Sequence, residues 1–330
     1  MKINGYAVEK VGGELNPYGY DSSALGDQDV LIEITHCGIC HSDIHLIDDD
    51  WKISNYPFIP GHEIVGNVKE VGKHCNHLSV GQRVGVGWQC GSCFHCQWCM
   101  KGEENCCLHY QPTCVGRNGG FAQAIVVDGR FAFPIPEELE SAQTAPLLCG
   151  GATVYSPLRR YRVNVSSRVG VIGIGGLGHM AIQFAKAMGA HVTAFSSSPS
   201  KESEAMGLGA DEFVTEIDKF PQESLDFIIS TSSAKLDWVQ WMNCLQPKGV
   251  FCFVGAAPGN LDFGLQILIA KQRSVVGSLI GDRHTIVEML KVAAEKNVRA
   301  KIEEFPLEDV NTALDRVRKN QVRYRAVLKI

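Results

Sequence analysis

Thirteen cysteines in 330 residues pose the first chemical question. Six of them lie in Cys90-Gly91-Ser92-Cys93-Phe94-His95-Cys96-Gln97-Trp98-Cys99 and in the following Cys106 and Cys107. Repeated C-x-x-C spacing brings thiolates within tetrahedral reach of one Zn²⁺, and four thiolates make a closed, structural site. Six candidates compete for those four places. A second set is dispersed: Cys40 in Cys37-Gly38-Ile39-Cys40-His41-Ser42-Asp43, His62 in Pro60-Gly61-His62-Glu63, and Cys149 in Ala145-Pro146-Leu147-Leu148-Cys149-Gly150. Taken singly, these read as well as small buried thiols and a hydrogen-bonded histidine as they do as ligands. A third constellation, Gly173-Ile174-Gly175-Gly176-Leu177-Gly178, is a G-x-G-x-x-G between an apolar run and a helical stretch. Such glycines allow a tight turn and close backbone approach to a pyrophosphate at a helix N-terminus.

The run His191-Val192-Thr193-Ala194-Phe195 then decides which dinucleotide. An NAD-binding fold ends this strand with a carboxylate for the ribose 2′-hydroxyl; here it passes into Ser196-Ser197-Ser198-Pro199-Ser200-Lys201. Hydroxyl donors and a lysine accept a 2′-phosphate that a carboxylate would repel, which points to NADP.

Two kinds of scaffold hold these groups. Up to about residue 150 the chain reads as strands between glycine-rich turns, including 30–34, 62–68 and 121–127, with the cysteine-dense stretch 90–107 as a loop or lobe. After residue 150 the apolar runs 168–174, 191–195, 225–229, 249–254 and 274–279 alternate with helical stretches such as 235–245 and 282–296. That alternation indicates βαβ units and a doubly wound parallel sheet. The segment 324–330 is a candidate for return to the first half. Lys73-His74-Cys75-Asn76-His77 reads as a turn rather than a metal tract, and Asp48-Asp49-Asp50 as a solvated loop.

Composition removes several function classes. With 45% hydrophobic and 20% charged residues the chain is an ordinary globular protein. A net charge of −5 gives no support to nucleic-acid or anionic-membrane binding, and the cysteine-rich stretch has no basic stripe, against a zinc-ribbon module. No apolar run reaches the roughly 18 residues of a membrane span. The start Met1-Lys2-Ile3-Asn4-Gly5 lacks a signal-peptide core, so a cytoplasmic, reducing location is expected, where cysteines serve metals rather than disulfides.

In this order the motifs resemble, over essentially the whole chain, the zinc-dependent medium-chain alcohol dehydrogenases, and most of all their cinnamyl-alcohol-dehydrogenase-like, NADP-dependent branch. The resemblance implies a β-rich, GroES-like catalytic domain over 1–151, a Rossmann domain over 152–292 and a return segment over 293–330. It implies that Cys40, His62 and Cys149 hold a catalytic zinc, with Glu63 close enough to approach the metal. Ser42 and His45 match the family's proton relay. His41 and Arg325 match residues near the pyrophosphate, Thr153 one near the nicotinamide, and Ser196, Ser197 and Lys201 the 2′-phosphate contacts. The family's ligand gaps of three, three and eight select Cys93, Cys96, Cys99 and Cys107 for a structural zinc and leave Cys90 and Cys106 free. Two zinc ions, NADP(H), an aldehyde or alcohol substrate and a homodimer formed near 274–279 are therefore expected. Trp51 and Trp88 are candidates for a pocket that tolerates aromatic substrates. Within the superfamily the rivals are a polyol dehydrogenase and a zinc-free quinone reductase, the latter disfavoured by the three ligands. A non-catalytic NADPH sensor is disfavoured by Cys40, Ser42, His45 and Cys149 together.

Overall fold

The computed structural model describes residues 1–255 and 260–330, which divide into two compact units: Met1–Gly150 with Gly281–Ile330, and Gly151–Ile280. The chain therefore re-enters the first unit at Gly281, not at 293. The helix Arg283–Glu295 belongs to the first unit, because its first residue is tied there: Arg283 donates to Glu104 Oε1 from both Nε (2.9 Å) and Nη2 (2.6 Å).

The first unit is built on Asp29–Ile39, an eleven-residue strand whose burial on both faces suits its β-branched content. It pairs antiparallel with Glu63–Val71, Ala124–Asp128 and Arg325–Lys329. The sheet continues through Arg83–Val86 to Phe133–Pro134, and on the other side through Ile302–Pro306, which runs parallel to Arg325–Lys329. The segment that returns in sequence thus lies inside the sheet, with Ala326 opposite Ile39 and Leu328 opposite Cys37. Two short antiparallel ribbons complete the unit, Lys2–Val8 with Leu15–Asp21 and Gln89–Gly91 with Gln111–Pro112.

The second unit is a six-stranded, all-parallel sheet. From one edge the strands are Glu212–Val214, His191–Phe195, Arg168–Ile172, Leu225–Ser230, Leu245–Phe253 and Ser274–Gly277. In chain order that is 3-2-1-4-5-6, the Rossmann arrangement. Of these, Glu212–Val214 escapes the sequence reading: at three residues it is too short to show a period. The helix Gly178–Ala187 covers the sheet with Met180, Ala181, Phe184 and Ala185 fully buried. A second core cluster gathers Phe195, Phe220, Trp241 and Phe251, with Phe195 edge-to-face on both Phe220 and Trp241.

Candidate active site

In the first unit, a short helix, His41–Ile47, follows directly on the central strand, with Cys40 at its N-cap. Asp43, at the third helical position, is fully buried and accepts three hydrogen bonds. Its Oδ2 takes the Cys40 N–H (2.9 Å), and its Oδ1 takes the Gly61 N–H (2.9 Å) and the imidazole Nδ1 of His62 (2.9 Å). One carboxylate thereby fixes the backbone on both sides of the site and the orientation of the buried imidazole. Residue spacing singled out its neighbours and overlooked Asp43; an acid three residues after an N-cap is the signal that would have found it.

With Nδ1 committed to Asp43, His62 Nε2 faces the other way, buried and without a partner. It points into a group in which one donor atom each of Cys40, His62, Glu63 and Cys149 lies within 4.8 Å of the others. Cys149 enters from the end of the buried turn Ala145–Leu148. Its thiol hydrogen-bonds to Cys40, holding the Cys40 thiol well below its ordinary pKa and raising that of Cys149. A buried nitrogen lone pair with no donor costs about 1–3 kcal/mol, and a thiolate beside it adds to that. A divalent cation bound by these atoms removes both costs. Two sulfurs and an imidazole suit zinc, and three protein ligands leave a coordination position open, as a catalytic metal requires.

Glu63 carries the other unsatisfied atom. Its Oε1 accepts a short hydrogen bond from Arg325 Nη2, whereas Oε2 is buried without a partner. Burial pushes the Glu63 carboxyl up to about 7, against the pull of Arg325. The register that sets Ala326 opposite Ile39 brings the Arg325 guanidinium onto Glu63 in the metal cluster. His41 is exposed on the first turn of its helix.

Ser42 and His45 stand three residues apart on that helix and so share one face. His45 Nδ1 lies 2.7 Å from Asp50 Oδ2, and its ring lies 5.2 Å from that of Trp51. Trp51 meets Trp88 edge-on (6.0 Å), and Trp88 meets His62 edge-on (4.9 Å). The acidic run is therefore not merely solvated. Asp50 orients His45, Asp49 Oδ1 accepts the Ser54 N–H (3.1 Å), and Asp48 pairs with Arg318.

The structure gathers Cys93, Cys96, Cys99 and Cys107 into a second group, with sulfur separations of 3.5 Å (Cys93 to Cys107), 3.6 Å (Cys96 to Cys99) and 3.9 Å (Cys93 to Cys99). Backbone N–H groups of Cys96 and His109 point at Cys93 and Cys107 sulfurs, as expected around thiolates. Cys90 stands apart, buried in its strand with its sulfur 3.0 Å from Arg117 Nη1, and Cys106 is exposed. Behind the lobe, Phe94 is covered by the guanidinium of Arg130 at 3.5 Å, with that of Arg283 at 5.2 Å. The tract 73–77 is a turn in which His77 Nε2 meets the Gly129 carbonyl (2.9 Å), and it joins no metal-ready group among the described residues.

In the second unit, Gly173 has φ +86°, and a Cβ on Gly178 would lie 1.8 Å from the Gly173 carbonyl oxygen, so both positions require glycine. A Cβ on Gly175 would meet nothing within 4 Å: there the turn faces open space, at the start of the helix Gly178–Ala187. Gly176 and Leu177 complete the turn. Parallel pairing of Ile172 with Phe195 puts Ser196 and the exposed Ser197 beside it, and Lys201 Nζ reaches back to the Ile174 carbonyl (2.6 Å). Thr153 is buried in the helix Gly150–Arg160.

Residues 26–137 match the alcohol dehydrogenase GroES-like domain, and residues 176–295 match the zinc-binding dehydrogenase family. An aldehyde reductase of Synechocystis, AdhA, is 41% identical over 99% of this chain and 98% of its own. A cinnamyl alcohol dehydrogenase structure from Sorghum bicolor superposes with a TM-score of 0.95 at 39% identity, covering 100% of this chain and 98% of the other. The CAD of Helicobacter pylori, solved complexed with NADP(H), gives 0.93 at 35% identity over 100% of this chain and 98% of its own. No helix among the described residues is long and apolar enough to cross a membrane.

Proposed function

The chain belongs to the zinc-dependent medium-chain alcohol dehydrogenases of the cinnamyl alcohol dehydrogenase type, and from that premise we propose that it is an NADP(H)-dependent aldehyde reductase, interconverting aldehydes and primary alcohols. The observation that carries the reading is the buried, unpartnered Nε2 of His62, aimed by Asp43 at Cys40 and Cys149. Cys40, His62 and Cys149 hold the catalytic zinc, and Cys93, Cys96, Cys99 and Cys107 hold a structural one. When bound, the catalytic metal supplies a Lewis acid for the carbonyl oxygen. NADPH supplies the hydride.

The protein's own groups do the rest. Ser42, on the same helix face as His45, is the hydroxyl that would meet the reacting oxygen, and His45, partly exposed and oriented through Nδ1 by Asp50, would exchange the proton with solvent. Gly173–Gly178 and the helix behind them receive the pyrophosphate, and Ser196, Ser197 and Lys201 the 2′-phosphate. To reach that phosphate, the Lys201 ammonium exchanges the Ile174 carbonyl for it, a neutral acceptor for a charged one. Trp51 and the nearly buried Trp88 form an aromatic wall beside His45 and His62, which suits aromatic and medium-chain substrates.

Two further assignments belong to this proposal. The edge strand Ser274–Gly277, flanked by Leu265, Ile269 and Leu279 at 71%, 68% and 54% exposure, supports a homodimer joined along that edge. Six cysteines gathered in the two metal-ready groups, in place of disulfides, support a reducing, cytoplasmic location. The enzyme test is a panel of aromatic and medium-chain aldehydes with NADPH and NADH on protein of measured zinc content. Protein carrying two zinc ions per chain that reduces none of them with NADPH refutes the proposal.

A further inference from the structure

We infer that Gly38 is a positioning residue: its missing side chain keeps the Glu63 carboxylate on Arg325 and off the open coordination position of the catalytic zinc. The inference rests on the zinc reading above and adds the device that keeps the site open. Gly38 and Glu63 face each other across the antiparallel pair formed by Asp29–Ile39 and Glu63–Val71, and Val327 of the return strand flanks Gly38 on its other side. A Cβ built on Gly38 would lie 2.1 Å from Glu63 Oε2, 3.1 Å from its Cδ and 3.0 Å from its Cβ. The carboxylate occupies the space that any other residue at 38 would need.

Where a displaced carboxylate would go follows from its surroundings. Oε1 is held by Arg325 and Oε2 is buried without a partner; rotation about the last side-chain bond turns both oxygens together, and Oε2, with no hydrogen bond to lose, is the one open to a new partner. A buried anionic oxygen moves toward positive charge. Arg325 already engages Oε1, and a carboxylate oxygen of Glu63 is within 4.8 Å of the donor atoms of Cys40, His62 and Cys149. The metal they hold is the remaining cation. A methyl at 38 thus converts a three-ligand site with an open position into a closed four-ligand site of the kind zinc adopts structurally.

The test substitutes Co²⁺ for the catalytic zinc in whole protein and titrates it with imidazole, a neutral ligand for the open position, following the cobalt absorption bands. Gly38→Ala is expected to keep both metals and to bind imidazole at least tenfold more weakly than wild type. Gly38→Ala/Glu63→Asp, which withdraws the carboxylate by one methylene, is expected to restore imidazole binding to within about threefold. Unchanged imidazole affinity in Gly38→Ala overturns the inference. If Gly38→Ala does not fold, the double variant decides: folding with an open site supports the inference, and failure to fold overturns it, since the methyl is then excluded by something other than the carboxylate. Wild type without a metal at Cys40, His62 and Cys149 overturns the zinc reading and this inference together. Metal-replete wild type with a silent Gly38→Ala overturns only the inference.

Discussion

Asp43 offers the sharpest test of how the catalytic metal is held. Its two oxygens accept from three buried N–H groups, those of Cys40, Gly61 and the His62 ring, each at 2.9 Å. In Asp43→Asn the amide oxygen can keep Gly61 and His62, but its NH₂ then meets the Cys40 N–H, donor against donor. One buried donor left unsatisfied costs about 1–3 kcal/mol. The imidazole also loses the negative charge that raises its basicity, and removing such an outer partner lowers metal affinity by about 10–100-fold. Asp43→Ala orphans all three donors; treated as partly additive, that is roughly 3–5 kcal/mol of stability. The assay is competition with a chelating dye that resolves the two zinc ions by rate of release, run beside urea unfolding. The expected result for Asp43→Asn is one zinc released at about 10–100-fold lower chelator concentration while the other is held as in wild type. If both ions leave Asp43→Asn at wild-type concentrations, the carboxylate does not set the orientation of His62, and the argument fails.

Three further outcomes follow. The hydroxyls of Ser196 and Ser197 with Lys201 should give NADPH at least about 100-fold over NADH in kcat/KM, from two charge-assisted contacts of roughly 1.5–3 kcal/mol each, only partly additive; Ser197→Asp should reverse much of this, and equal wild-type values refute it. Cys90→Ser should retain two zinc ions, because its sulfur contacts Arg117 rather than the cluster, whereas Cys99→Ser should lose one ion and destabilise the first unit, with elemental analysis as the readout. Arg283→Met leaves Glu104, at 2% exposure, without its cation; since Arg283 is itself a third exposed, the loss in urea unfolding should be about 2–3 kcal/mol, and no change means the pair does not anchor the lobe.

Much of this was legible from residue order because the chemistry is local. The strand–turn–helix that carries Gly173 to Gly178 occupies one short segment, and the lobe cysteines lie within fifteen positions of one another. What periodicity could not show is contact between residues distant in the chain. Arg325 reaches Glu63 across 262 positions through a register in the middle of a sheet, and nothing near either residue announces it. Arg283 likewise looks like the first residue of one more helix, until Glu104 claims it and moves the point of return to Gly281. Asp50 hid in an acidic run because charge composition describes solvation and not aim. Asp43 was overlooked because a carboxylate that binds no metal has no spacing rule of its own.

The position of the return strand also bears on the order of events during synthesis. The four lobe cysteines emerge within fifteen residues of one another, so their metal can bind while most of the chain is still to be made. The His36–Ile39 part of the central strand, by contrast, lacks its second neighbour, and Glu63 its counter-charge, until residue 325 has left the ribosome. At about 5–20 residues per second, the 262 residues between them correspond to roughly 13–52 s. For that interval the nascent first unit exposes an unpaired hydrophobic edge and an uncompensated carboxylate beside Cys40 and His62. The last strand to be made is thus the one that completes both the sheet beside His36–Ile39 and the charge balance at Glu63.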